Sequence, residues 1–484
     1  MTASAPIAVD LGDIEVLAFR TRSLGNWSYL ICSDGDAVAV DPQRDAETYL
    51  DAARDRKARL RRVLETHNHS DYLSGGLWLA ERTGAKVTAP AAGEYQFDHA
   101  AVEDGDEVVI GGMRLRCTAT PGHTFDHVSW QLLGPDSDDP KAILTGGSLL
   151  IGGAGRTDLA GEAATPELTA LQFASLRKLS ALAGSAKVLP THGGGSTCSI
   201  NAATEVQEFT RLDQEREANP FMSNGSYEQF ADSLLSHLTP APGYFPFVAS
   251  INREGPPVDD AADIEPMSPG QFAHAVARGA WIIDTRNRWA FADGHIPGSL
   301  NIELGDLFPA QLGSLVPYEA PLAVVVETGD RDVMGDLKRE CFRLGYRINA
   351  ALDPGIEAWA DEGFDLDAYP ASDILELQAE ASRDQPPAIL DVRDPVEWLD
   401  GAIEGSARIP VSGLPGQAIA LRDRWVNTNG VGRINVACTG GARAGVAASY
   451  LARLGVPVRV ILGGGVPDAL GMRVTRLDIP DPRS

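Results

Sequence analysis

Histidine and carboxylate spacing in the first 200 residues points to metal chemistry. Glu65-Thr66-His67-Asn68-His69-Ser70-Asp71 follows the strand-length run Leu60–Leu64 and precedes Leu77–Arg82, which reads as a helix start. A tight His-x-His-x-Asp loop converges two imidazoles and a carboxylate on one point, a donor set that suits zinc or non-haem iron. Thr120-Pro-Gly-His123-Thr and Pro190-Thr-His192-Gly put further imidazoles after plausible strands. A single histidine is most often a surface or core residue. Three strand-end motifs in this order favour a metal site.

A second chemical signal stands near the C-terminus. Cys438-Thr439-Gly440-Gly441-Ala442-Arg443 lies between the buried-type strand Arg433–Ala437 and the helix pattern Ala444–Leu454. A loop closing on a helix N-terminus aims several backbone N–H groups at the sulfur and, with Arg443, favours thiolate over thiol. The alternative is an inert buried cysteine, and the Gly-Gly-x-Arg context argues against it. Cys32, Cys117, Cys198 and Cys341 read as packing residues.

The elements that must position these groups are legible as a strand-rich N-terminal part and a repeated C-terminal part. Asn26–Cys32 turns through Ser33-Asp-Gly-Asp36 into Ala37–Asp41, a hairpin signal. A linker rich in Pro, Asp and Glu runs from Asn252 to Glu265. Beyond it, Ile282-Ile-Asp-Thr-Arg286 is answered by Leu390-Asp-Val-Arg393, and in each copy a glycine (Gly294, Gly401) follows the aspartate by ten residues. Two α/β domains on parallel sheets are expected. The division is 1–255, 266–370 and 372–484.

At 484 residues the chain needs more than one core. A net charge of −26 would repel phosphate, so nucleic acid is not an expected partner. No apolar run approaches the roughly 18 residues needed to span a bilayer, and the first residues lack a secretory pattern. Five widely spaced cysteines suggest a reducing, cytoplasmic setting rather than a disulfide framework.

Taken with Thr145-Gly-Gly-Ser148, the three histidine motifs resemble the metallo-β-lactamase superfamily over residues 8 to about 250. Thr145–Asp158 and Tyr244–Asn252 are similar to its persulfide dioxygenase branch. That resemblance implies an αββα sandwich and a mononuclear iron that oxidises glutathione persulfide. The implied ligands fall on His67, His123 and Gly147; glycine supplies no carboxylate, and Tyr72 stands where the family has another histidine. The expected ligand set is therefore His67, His69 and His123, with Asp71 and His192 close by. Iron (Fe2+) is the expected ion and zinc the second candidate. Arg156 is a candidate contact for the thiol carrier's carboxylates, an ordinary ion pair being the alternative. A Gly147→Asp change is expected to raise iron affinity.

From 266 onward the repeat resembles two rhodanese domains, which implies a persulfide on Cys438 held by Thr439, Gly440, Gly441, Ala442 and Arg443. Aligning the copies on Arg331 and Gly329 puts Val326 at the cysteine position, so the first copy is expected to be inactive. Expected partners are glutathione persulfide or thiosulfate-type molecules, with a homodimer as the candidate assembly. The rival readings are a glyoxalase-type zinc thioester hydrolase and a metal-free N-terminal scaffold presenting a sulfurtransferase.

Overall fold

The computed structural model describes residues 5–475 apart from 13, 202–207, 224, 328–330, 382–385, 428–431 and 473. Its N-terminal sheet has seven strands, each paired with its neighbour in sequence: Ile7–Asp10, Glu15–Thr21, Asn26–Ser33, Asp36–Val40, Arg59–Leu64, Lys86–Pro90 and Ala100–Val102. The hairpin between the third and fourth turns at Asp34 and Gly35, both with positive φ, as a primed turn requires. A second sheet orders Thr210–Arg211, Lys187–Pro190, Ala142–Gly146, Val128–Leu133, Met113–Ala119 and Glu107–Ile110.

Val16, Tyr29 and Ile31 of the first sheet meet Leu115, Trp130 and Leu144 of the second in one apolar layer. Helices Glu47–Asp55 and Gly76–Thr83 cover the outer face of the first sheet. Helices Thr165–Ser180 and Tyr227–Ser236 cover that of the second. Strand Asn26–Ser33 is buried along its whole length because both its faces are covered. This is an αββα sandwich. Leu64, Ala119, Gly146 and Pro190 end their strands just before the loops that carry the histidines and Gly147.

The C-terminal half holds two five-stranded parallel sheets of identical topology. The first orders Pro266–Met267, Ile348–Leu352, Leu322–Val325, Trp281–Asp284 and Leu300–Asn301. The second orders Ala371–Asp373, Val458–Gly463, Ile434–Ala437, Ala388–Asp391 and Ala407–Arg408. The ten-residue spacing in the repeat has a structural cause. Arg286 chelates buried Asp284 and donates to the Gly294 carbonyl at 2.8 Å; Arg393 does the same with Asp391 and Gly401, also at 2.8 Å. The arginine thus ties the strand end to the loop ten residues on.

The middle domain also grips the back of the metal loop. Leu73 N donates to the Arg343 carbonyl at 2.8 Å, Arg343 pairs with Asp45, and Ser23 donates to Glu340 at 2.7 Å. Tyr244, at the start of helix Phe245–Glu254, donates to the Asp71 carbonyl at 2.8 Å while its ring lies against Gly313.

Candidate metal centre and sulfur-carrying loop

Five imidazoles gather at the rim of the sandwich. His67, His69, His123, His127 and His192 are all at most 1% exposed. Ligand atoms of His67, His123 and His192 lie within 4.8 Å of one another. Their hydrogen bonds fix the tautomers. Thr66 Oγ1 gives its proton to Asp41, so it accepts from His67 Nδ1 at 2.8 Å. His123 Nδ1 donates to the Arg156 carbonyl at 2.8 Å. His192 Nδ1 donates to Asn26 Oδ1 at 3.0 Å, and Asn26 Nδ2 donates to Asp71 at 2.7 Å.

With all three Nδ1 atoms acting as donors, each Nε2 is left with a lone pair facing the same space. His67 Nε2 and His192 Nε2 stand 3.3 Å apart, and His123 Nε2 has no protein partner. Burial first, then the neighbouring imidazoles, hold His67 and His123 well below the ordinary histidine range and His192 at about 3. Neutral imidazoles oriented through Nδ1 and converging through Nε2 fit a divalent metal.

His69 faces carboxylates. Its Nε2 lies 3.3 Å from Asp41 and 3.4 Å from Glu65. Burial lowers its pKa, but Asp41 and Glu65 outweigh that and push it up to about 10. His192 joins His67 and His123 in one grouping, and ligand atoms of His69 lie within 4.8 Å of those of Asp71 and His192, and of those of Asp41 and Glu65, so His69 stands in a neighbouring grouping that could also hold a metal. Tyr72 stacks on His69 with ring centroids 4.5 Å apart and donates to the Asp41 carbonyl at 3.1 Å.

Gly147 is occupied space rather than a gap. A Cβ there would meet His123 Cδ2 at 2.2 Å and Nε2 at 2.8 Å. The imidazole fills the room a side chain at 147 would need, so Gly147→Asp displaces a ligand, and the expected gain in iron affinity does not follow. His127, which sequence reasoning missed, accepts from Gly147 N at 2.8 Å and holds that backbone in place. The available signal was its position four residues after His123. Asp41, also missed, ends a strand ahead of Pro42 and accepts from Thr66 and Thr191.

Arg156 does not face a substrate. Its guanidinium is 1% exposed and bound to Asp158, the Thr197 carbonyl and the Thr239 carbonyl. Its part in the site is the carbonyl that orients His123.

At the other end of the molecule, Asp391 pairs with Ala437 and Asp284 with Val325, so Cys438 and Val326 occupy equivalent positions one residue beyond. Cys438 is 2% exposed, and Gly441 N donates to its Sγ at 3.1 Å at the start of helix Ala442–Arg453. Where several amides were expected at the sulfur, this one is in hydrogen-bonding range among the described residues. Gly441 has φ 89°, and a Cβ there would meet the Leu462 carbonyl at 2.9 Å. Arg443 is engaged by Asp394, Glu397 and Thr439 Oγ1, so it ties the loop to helix Pro395–Leu399 rather than to the sulfur. Gly440 and Gly441 make the bend between Thr439 and the helix, whose first residue is Ala442.

Residues 22–192 match the Metallo-beta-lactamase superfamily. A hydroxyacylglutathione hydrolase of Acidiphilium cryptum is 32% identical over 231 residues, which cover 43% of this chain and 89% of that protein. The chain belongs to the metallo-beta-lactamase superfamily. Residues 268–362 and 374–466 each match the Rhodanese-like domain, so this superfamily member carries two rhodanese-like domains behind its metal-site domain. It spans less of other relatives: 46% of the hydroxyacylglutathione hydrolase of Methylobacillus flagellatus, at 37% identity over 24% of this chain. A metallo-beta-lactamase structure from Staphylococcus aureus shares the fold over 70% of this chain and 99% of its own, with TM-score 0.63 and 24% identity. The structure of ETHE1 from Myxococcus xanthus is 26% identical with TM-score 0.42, covering 49% of this chain and 96% of its own. Among the described residues, no helix is long and apolar enough to cross a membrane.

Proposed function

We propose that the chain is a sulfur-metabolism enzyme that carries sulfane sulfur on Cys438 and processes low-molecular-weight persulfides at a metal centre held by His67, His123 and His192. The observation that carries this reading is the Gly441 amide directed at the Cys438 sulfur on a helix N-terminus. That donor and the helix dipole stabilise sulfur as an anion. The Cys438 thiolate attacks the outer sulfur of thiosulfate; the sulfur–sulfur bond of the donor breaks and sulfite leaves with its electron pair. A thiolate such as that of glutathione then takes the outer sulfur of the enzyme persulfide and regenerates the Cys438 thiolate. Val326 offers no nucleophile, which makes the first rhodanese-like domain a structural partner.

At the N-terminal centre, bound iron supplies dioxygen chemistry and bound zinc supplies an activated water. The chain's own residues set its ligands. Thr66, the Arg156 carbonyl and the Asn26–Asp71 pair orient the imidazoles, while His127 fixes the Gly147 backbone beside them. With iron held by these histidines, the net reaction it would support is one glutathione persulfide, one dioxygen and one water giving glutathione, sulfite and two protons.

A second reading, hydrolysis of a glutathione thioester, is favoured by the hydroxyacylglutathione hydrolases among the relatives. Tyr72 and Gly147 weigh against it, since neither supplies the second-metal ligand a dinuclear site needs. Dioxygen uptake with glutathione persulfide, thioester hydrolysis and metal analysis on one preparation separate the two readings. For the carrier half, Cys438→Ser abolishes thiosulfate-to-cyanide sulfur transfer; a near-normal rate removes the proposed nucleophile.

A further inference from the structure

The Gly440–Gly441 peptide has two ends, and a different domain holds each. Its N–H, on Gly441, donates to Cys438 Sγ at 3.1 Å. Its carbonyl, on Gly440, accepts from Arg288 Nη1 at 3.2 Å, and Arg288 belongs to the first rhodanese-like domain. The peptide unit is planar, with C=O and N–H pointing opposite ways, so fixing the oxygen fixes the direction of the N–H.

Arg288 is itself held. Glu303 accepts from its backbone N at 2.7 Å and from its Nε at 3.0 Å, and pairs with its Nη2. Its base lies against the helix that begins at Ala442: a Cβ on Gly445 would stand 3.4 Å from Arg288 Cβ. About one helical turn further on, Asn301 N donates to Ser449 Oγ at 3.0 Å, so the same surface is seated on the same helix at a second point. The strand end that in the second domain yields Cys438 yields only Val326 in the first.

We propose that Arg288 is a positioning residue for sulfur transfer: its cation on the Gly440 carbonyl orients and polarises the peptide whose N–H holds the Cys438 sulfur. A cation on the oxygen draws electron density from the amide and makes its N–H a stronger donor to an anion. Two glycines leave the loop with little preference of its own, so an external anchor is what selects this peptide orientation. The first rhodanese-like domain thereby serves the sulfur chemistry of the second without touching the sulfur. The proposal rests on Cys438 being the sulfur carrier.

The test uses the full chain with Arg288→Gln and Arg288→Lys, with Cys438→Ser as control. Thiosulfate-to-cyanide transfer and peptide-resolved iodoacetamide alkylation of Cys438 at pH 7 are measured together. Losing a charge-assisted contact of this kind lowers both kcat and the alkylation rate by about 5-fold. KM for thiosulfate is unchanged, because Arg288 acts on the loop and not on the donor. Arg288→Lys, which keeps a cationic donor, returns both rates to within about 2-fold of the parent. The proposal is overturned if Arg288→Gln matches the parent in both readouts, or if glutamine and lysine are equally impaired, which marks a packing role alone. Should Cys438→Ser retain transfer, the carrier reading fails instead, and the alkylation arm still reports whether Arg288 acts on the thiol.

Discussion

Replacing His192 and His69 one at a time separates the two groupings of imidazoles. In His192→Ala one of three converging Nε2 ligand atoms is lost, along with the bond that Nδ1 gives to Asn26 Oδ1, while the Asn26–Asp71 bond behind it remains. Outer-shell partners alone are worth about 10- to 100-fold in metal affinity, so removing the ligand should cost at least about 100-fold. Stability of the metal-free chain should fall by about 1–3 kcal/mol, since the lost ring is neutral but leaves the buried Asn26 Oδ1 without its donor. His69→Ala should act chiefly on stability. Burial works to raise Asp41, but His69 outweighs it and holds that carboxyl low; burial raises Glu65. Removing His69 leaves the buried Asp41 charge to its Thr66 and Thr191 donors alone, at a cost of about 3 kcal/mol, with metal affinity of the His67–His123–His192 grouping kept near that of the parent. Metal per chain after dialysis against a chelator of known affinity gives the first quantity, and urea unfolding of the metal-free protein gives the second. Equal metal loss in the two variants, or parent-like affinity in His192→Ala, refutes the tautomer argument.

Gly147→Ala should push the His123 ring away from its 2.2 Å encounter and lower metal affinity at least about 10-fold, measured by the same chelator competition. Gly313→Ala should drive a methyl into the Tyr244 ring and destabilise the contact between the first two domains by about 1–3 kcal/mol, read as a fall in the urea midpoint. Burial raises Glu397, but Arg443 outweighs it and brings the carboxyl from 4.5 to about 2. Its stabilising contribution is therefore full above pH 4.5 and lost as pH falls through 2. E397Q should flatten that stretch of the stability–pH curve measured by chemical unfolding.

Much of this protein was legible from local pattern. The Asp-Gly hairpin and the strand-end histidines marked a strand-rich N-terminal part, whose sandwich was implied by the family resemblance they carry, and the Asp-x-Arg repeat with its glycine ten residues on marked the paired parallel-sheet domains. Cys438 stood out because Gly-Gly-x-Arg ahead of a helix is a local arrangement of donors. Less legible was the choice among neighbours. His69 lies two residues from His67 and was expected as the third ligand with His192 close by, whereas the fold brings His192, 125 residues away, to 3.3 Å from His67 Nε2. Arg156 and Arg443 looked free to meet anions because nothing local showed Asp158 with the Thr239 carbonyl, or Glu397 with Asp394, already holding them.

The amino-acid order alone determined which groups sit on strand-end loops and which cysteine opens a helix, since both depend on periodicity and turn chemistry within a few residues. The folded chain alone decided which imidazoles keep a free lone pair. That depends on the partner each Nδ1 meets (Thr66, Asn26 or the Arg156 carbonyl) and on the carboxylates of Asp41 and Glu65 beside His69 Nε2. Charge and proton placement in a buried site are settled by neighbours brought from distant parts of the chain, where low dielectric magnifies every contact.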